Sequence, residues 1–319
     1  LSQIVPTGTT FALTGNYQRS NVTDAGSEYT GTWDLRVTQS LLRGFGPDVN
    51  LVAVRQARND AAIGDLAFRD YALTLAESVE RAYWDLALAQ ETLRIREFSR
   101  DLAGEQLKLN EALITVGKLS GSDRISAEAE LAAQKAALVD AQADLQDRAI
   151  DLWQWMNPDT QTPSEISMAS VPLSAIAEIP YAVESSLALG MKFRPDLAQA
   201  HLDVENGSLS VVATKNGLLP RLDAFVSYGT YGSGSASGAW NDGLVDSTYD
   251  QFSAGLTFSM ALGKRAEKAR YRRTLFQADQ ARAAVHNLEQ QIETDVRKAI
   301  VELERQQAQI TASQQELAM

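Results

Sequence analysis

Residues 251–262 read Gln-Phe-Ser-Ala-Gly-Leu-Thr-Phe-Ser-Met-Ala-Leu, and no other stretch limits the fold as tightly. Successive side chains of an extended strand point to opposite sides. Phe252, Ala254, Leu256, Phe258, Met260 and Leu262 then share one face, and Ser253, Gly255, Thr257, Ser259 and Ala261 the other. No charge interrupts the run. A greasy face backed by a small, weakly polar one suits a strand with lipid on one side and water on the other.

Three more segments alternate in the same way. Thr7 to Ser20 places Phe11, Leu13, Gly15 and Tyr17 together, and a polar loop is expected from Asn21 to Thr30. Trp33, Leu35, Val37, Gln39 and Leu41 form the return strand of a hairpin. Leu222, Ala224, Val226 and Tyr228 mark a third strand. A Gly/Ser-rich loop, Gly229 to Ser247, separates it from the fourth, at about Tyr249 to Leu262. Tyr17, Tyr29, Trp33, Tyr228, Tyr231, Trp240 and Tyr249 fall at strand ends and loops, where the aromatic girdles of membrane barrels sit.

Long helical patterns surround these strands. From Leu51 to Val116 there is no proline, and Leu75, Val79, Ala82, Leu86, Ala89 and Leu93 keep a 4-3-4-3-4 spacing. Such a helix is roughly 100 Å long at 1.5 Å per residue. After a turn at Gly117 to Asp123, with Ser122 or Asp123 as cap, a second helix runs to Met156 with two adjacent seams. One holds Ile125, Ala129, Ala132, Ala136, Val139, Ala143, Gln146, Ile150 and Trp153. The other holds Ala127, Leu131, Gln134, Leu138, Ala141, Leu145, Arg148 and Leu152. Two seams mean a neighbour on each side, as in a sheet or cylinder of helices.

The remaining organisation follows from the breakers. An irregular connector is expected over 157–193, with prolines at 158, 163, 172 and 180 and a short helix, Tyr181 to Leu189, ended by Gly190. Helices of a second repeat are expected over 194–217 and 264–319. Hairpins occupy 7–42 and 220–262, and a long helical hairpin 48–156. The two hairpin-to-helix units repeat: Val37 to Leu41 matches Leu256 to Met260, and Gly44 matches Gly263.

Composition removes other classes. The chain has 319 residues, no cysteine, two histidines and a net charge of −12. A nucleophilic triad or metal cluster has almost nothing to draw on, so neither an enzyme nor a cofactor is expected. The acidic balance argues against a nucleic-acid surface. No run of eighteen apolar residues forms a membrane helix. The chain opens in a strand-like segment with no signal peptide, which suggests a part of something longer.

Four strands cannot close a barrel, and open sheet edges are not tolerated in lipid. Small membrane barrels need eight strands or more, each of about nine to eleven residues. Three copies of the chain supply twelve. The fold expected is therefore α+β, a four-stranded share of a trimeric transmembrane β-barrel carrying long coiled α-helices. The alternatives are a soluble sandwich, or a periplasmic adaptor or other coiled-coil protein. No helix around the strands is short enough to pack a compact sandwich, and the uncharged strand 251–262 is needlessly greasy for an adaptor.

The chain resembles the TolC-like outer-membrane efflux protein family. The likeness rests on Gln39 to Gly46, on Gly117 to Asp123 followed by Ala127 and Glu128, on Arg194-Pro195-Asp196-Leu197, and on Leu218-Leu219-Pro220-Arg221-Leu222. It implies a homotrimer in the Gram-negative outer membrane whose α-helical barrel reaches into the periplasm. The duct would serve drug efflux or type I secretion, docked to a periplasmic adaptor protein and an inner-membrane transporter. On the barrel reading, the alternation puts Trp33, Leu35, Val37 and the even-numbered residues 252–262 toward the lipid bilayer. Ser253, Thr257 and Ser259 would face the lumen. Gly117, Leu119, Ser120 and Asp123 would lie at the periplasmic tip that meets the adaptor. Against the family pattern, the helix before the first strand and the tip of the second repeat are missing.

Overall fold

The structure is a computed structural model that describes residues 1–22, 26–156, 182–234 and 250–317. Most of the expected connector, together with Trp240 and Tyr249, lies outside them. The chain divides into two compact units, Leu1–Ala67 with Tyr181–Met319, and Phe68–Pro180.

The first unit holds a five-stranded antiparallel sheet in simple sequence order. Its strands are β1 (Ser2–Ile4), β2 (Thr9–Val22), β3 (Gly26–Ser40), β4 (Arg221–Gly234) and β5 (Asp250–Ser259). The four expected strands are all present, and β1 is an addition. It folds back on Thr10 to Ala12 through a tight turn, in which the Gly8 amide donates to the Val5 carbonyl at 3.0 Å. Glycine is needed at this turn, since Gly8 has φ 88° and any Cβ there would strike the Gly44 carbonyl.

The hairpins are longer than expected. Val22 pairs with Gly26, so most of the expected loop 21–30 is strand. β4 continues past Tyr228 to Gly234. Glycine helps rather than breaks here, because a Cβ on Gly229 would sit 2.8 Å from the Trp33 carbonyl oxygen of the adjacent strand. At the other end β5 stops at Ser259, so Met260 and Leu262 lie beyond the strand. Gly263 and Lys264, both with positive φ, turn the chain into the following helix.

The described residues form six helices, five between β3 and β4 and one after β5: α1 (Pro47–Asn50), α2 (Val52–Thr115), α3 (Gly121–Met156), α4 (Val183–Phe193), α5 (Pro195–Asn216) and α6 (Arg265–Leu317). Among the described residues no helix is long and apolar enough to cross a membrane. α4 runs straight through Gly190. A helix-interior glycine costs only about 1 kcal/mol, whereas Pro195 forces Arg194 into extended backbone and ends the helix there. Leu197, Val285 and Ile292 form the core that joins α4, α5 and α6. Arg194 clamps the α5 N-terminus, with Nη2 2.7 Å from Asp196 and Nη1 3.8 Å from Asp295 of α6.

In the second unit α2 and α3 pack through Ala82, Leu86 and Leu152. Only one of the two α3 seams is used. Ala127, Leu138, Ala141 and Leu152 are buried, while Ile125, Val139 and Ile150 of the other seam stay exposed. The duplication is visible in the backbone as well: Gly44 and Gly263, matched by sequence, both have φ 84°.

Candidate functional site

The sheet register sorts every strand side chain onto one of two faces. Directly paired residues share a face. Leu35 pairs with Leu13 and Tyr228, and Tyr228 with Phe252. Val37 pairs with Phe11 and Val226, and Val226 with Ala254. Ala224 opposes Leu256, and Leu222 opposes Phe258. One face thus gathers Trp33, Leu35 and Val37 with Phe252, Ala254, Leu256 and Phe258. It is open: Phe252 is 70% exposed, Leu256 69% and Phe258 62%. Met260 and Leu262 are exposed but belong to the chain beyond the strand.

Rings mark this apolar face. Tyr17 stacks on Tyr29 with centroids 6.3 Å apart, and Trp33 meets Tyr228 edge-on at 5.6 Å. The Arg19 guanidinium lies 5.5 Å from the Tyr29 ring. Tyr231 is on the opposite face, paired with Thr32.

The opposite face carries Ser253, Thr257 and Ser259, paired with Ser227, Asp223 and Arg221. Ser227 and Ser253 exchange a hydrogen bond of 2.8 Å. This face also holds charges beyond the three predicted residues. Asp34, Arg36 and Asp223 lie on it by register, and Arg221 Nε donates to Asp223 at 2.5 Å. The signal for Asp34 and Arg36 was present in the alternation, since they interleave with Trp33, Leu35 and Val37.

The sheet is unclosed. Among the described residues β5 has no partner on its outer edge, and β1 covers only Thr10 to Ala12 of β2. Unpaired strand edges are templates for further strands.

At the far end of α2 the turn Val116–Ser120 leads into α3. Gly117 takes φ 73°, and Lys118 donates its amide to the Leu113 carbonyl at 2.9 Å, closing the helix end. Ser120 is the last residue before α3, and the expected cap Asp123 reaches back to it from the first turn. Asp123 Oδ2 accepts from the Ser120 amide and hydroxyl, both at 2.8 Å. These bonds, the hydroxyl first, hold the Asp123 carboxyl below its ordinary range. Leu119 and Gly117 flank the same turn.

Comparison with known proteins agrees with this geometry. The family model for outer membrane efflux proteins matches residues 10–157 and 191–319. Outer membrane efflux protein BepC of Brucella suis biovar 1 (strain 1330) is 24% identical over 310 residues, covering 96% of this chain and 64% of its own. The chain thus spans about 64% of that relative's length. The outer membrane protein VceC of Vibrio cholerae superimposes with a TM-score of 0.76 at 18% identity, over 97% of this chain and 73% of VceC. CusC, studied for its folding and transmembrane channel formation, gives 0.75 at 15% identity, over 98% and 71%. With most of its length matched by the family model, the chain belongs to the outer membrane efflux protein family.

Proposed function

We propose that three copies of this chain close one β-barrel in the Gram-negative outer membrane and form the exit duct of an efflux system. The observation that carries the reading is the open, two-faced sheet. Its four long strands span 10 to 15 residues, enough to cross the hydrocarbon. Neither outer edge is fully paired, which lipid does not tolerate in a lone copy.

In this reading the hairpins 7–42 and 220–262 build the membrane wall. Trp33, Leu35, Val37 and the apolar face of β5 meet lipid, and Ser253, Thr257 and Ser259 line water. Hydroxyl side chains let solutes pass without holding them, so transport is passive. The helical hairpin 48–156 and the second-repeat helices 194–217 and 264–319 form the periplasmic barrel. The exposed second seam of α3 is where another helix of the assembly packs. Gly117, Leu119, Ser120 and Asp123 form the tip that meets a periplasmic adaptor, which in turn reaches an inner-membrane transporter. The cargo class proposed is small exported molecules, following the efflux role in the relative's name.

The test is reconstitution of the full-length protein into planar bilayers, with its mass measured in detergent. A trimer with discrete conductance steps is expected. A monodisperse soluble monomer that never conducts would sink the proposal.

A further inference from the structure

β1 takes up one stretch of the outer edge of β2 and leaves the rest open. The Leu1 nitrogen donates to the Leu13 carbonyl and the Leu13 amide to the Leu1 carbonyl, both at 2.8 Å. The Val5 amide donates to the Thr9 carbonyl at 2.9 Å. Bonding direction alternates along an antiparallel strand, so the odd-numbered residues of β2 aim their backbone groups outward. Beyond Leu13 those outward positions run from Gly15 to Asn21, with no strand beside them among the described residues. The turn that carries β1 is pinned to the junction of β3 and α1. The Gly46 amide and the Gln39 side-chain amide both donate to the Thr7 carbonyl at 3.2 Å, and Asn50 donates to Pro6 at 3.1 Å.

The other edge of the sheet has a matching polarity. The Leu41 amide donates to the Leu222 carbonyl at 2.7 Å, so even-numbered residues of β4 bond toward β3 and odd-numbered ones toward β5. Thr257, the partner of Asp223, therefore bonds inward. The even-numbered residues of β5, Asp250 to Phe258, face outward.

We propose that β1 is a register stop, which fixes how β5 of one copy enters the open edge of β2 on the next. The inference rests on the barrel reading and deepens it. A ladder needs outward groups on both strands, and a two-faced wall needs the apolar side chains on one side. Both conditions pair odd residues of β2 with even residues of β5, so the register shifts only in steps of two. The deepest register that clears Leu13 sets Gly15 opposite Phe258 and Asn21 opposite Phe252. One step deeper puts Phe258 on Leu13, whose backbone groups Leu1 already holds. One step shallower leaves Gly15 unpaired, which lipid does not tolerate. The same register fills a gap in the wall. A Cβ on Gly15 would meet nothing within 4 Å, and an aromatic ring across from an edge glycine covers such a space. Phe258, 62% exposed in one copy, supplies that ring.

The chain has no cysteine, so engineered pairs can report the register. In it, Asn16 and Thr257 of neighbouring copies form a non-hydrogen-bonded pair with Cα atoms about 4.5 Å apart, within disulfide reach. One step away the separation is about 7–8 Å, beyond that reach. Full-length Asn16→Cys/Thr257→Cys, oxidised in outer membranes, is expected to give crosslinked trimers on denaturing gels. The rate is expected to exceed that of Thr14→Cys/Thr257→Cys and Gln18→Cys/Thr257→Cys at least fivefold. Ser20→Cys/Ser253→Cys reads the same register and is expected to match the first pair. Leu1→Pro/Gln3→Pro strips β1 of amides that face β2 and is expected to raise crosslinking of the Thr14→Cys/Thr257→Cys pair severalfold. Preference for a stepped pair with β1 intact overturns the register, and an unchanged ranking in the proline variant overturns the stop. A conducting trimer that prefers a stepped pair, or crosslinks at none, loses only this inference. A chain that forms no trimer and never conducts loses the barrel reading as well.

Discussion

The Arg36 guanidinium lies 4.1 Å above the centre of the Phe225 ring, on the face of the sheet that also carries Asp34 and Asp223. The ring holds the cation against the wall, a contact worth about 0.5–1 kcal/mol where solvent reaches it. In the proposed barrel that face would surround water, and the residue would repeat around the lumen in every copy. Arg36→Glu is expected to shift the permeability ratio severalfold toward cations, read from the reversal potential across a salt gradient. An unchanged reversal potential would place this face away from the conduction path.

Leu256 and Thr257 are neighbours on opposite faces, which makes them a matched pair for testing orientation. In the proposed barrel Leu256→Arg would put a charge into hydrocarbon, at about 2–4 kcal/mol near the midplane, and is expected to block outer-membrane assembly. Thr257→Arg is expected to assemble and to lower conductance. Equal assembly of the two variants, measured by heat-modifiable gel mobility, would show that the face assignment is wrong.

Leu138 and Val139 test the two seams in the same manner. Leu138 is 8% exposed, whereas Val139 is 62% exposed. Leu138→Asp buries an unpaired carboxylate and is expected to lose helical signal in circular dichroism at lower temperature. Val139→Asp is expected to keep the hairpin and to weaken association between copies, seen as monomer in sedimentation.

The Asn50 side chain ties the sheet to the helices by donating to the carbonyls of Gly44 at 2.9 Å, Gly46 at 2.9 Å and Pro6 at 3.1 Å. Asn50→Ala strips these acceptors at once. The expected cost is about 1–3 kcal/mol, visible as a lowered Tm of the detergent-solubilised protein. Gln290→Ala, on an exposed stretch of α6, serves as the control and is expected to leave Tm unchanged.

Asp123 gives the turn between α2 and α3 a pH dependence. Its carboxyl is held below the ordinary value of 3.8 by Ser120, so the charged form is the one the fold favours. The cap is therefore fully present above about pH 4 and lost as pH falls through the lowered value. Asp123→Asn imitates the protonated state at neutral pH. It is expected to speed tryptic cleavage after Lys118, followed by mass spectrometry, with other sites unaffected.

Much of this architecture was legible before any coordinates. Strand alternation places side chains by parity alone, so Phe252, Leu256 and Leu35 could be assigned one face without knowing the partners. What parity does not report is where a strand ends. Gly229 reads as loop, because glycine usually breaks a strand, yet close backbone approach keeps it in the ladder. The extra strand β1 was illegible for a different reason: three residues carry too little period to detect. The candidate site was partly legible. Ser253, Thr257 and Ser259 followed from their own strand, while Asp223 and Arg221 required the cross-strand pairing.

The sequence by itself determined the kind of surfaces this protein has: a charge-free strand face, two heptad seams on one helix, and a repeated strand-to-helix unit. Periodicity is a local property and is readable one element at a time. Only the tertiary structure decided which seam of α3 is filled and which is left open. It alone brought Arg43, Arg221 and Lys264 together from positions up to 221 residues apart. Those outcomes depend on register and on chain reversal, which are set by contacts between distant segments and leave no periodic trace in any one of them.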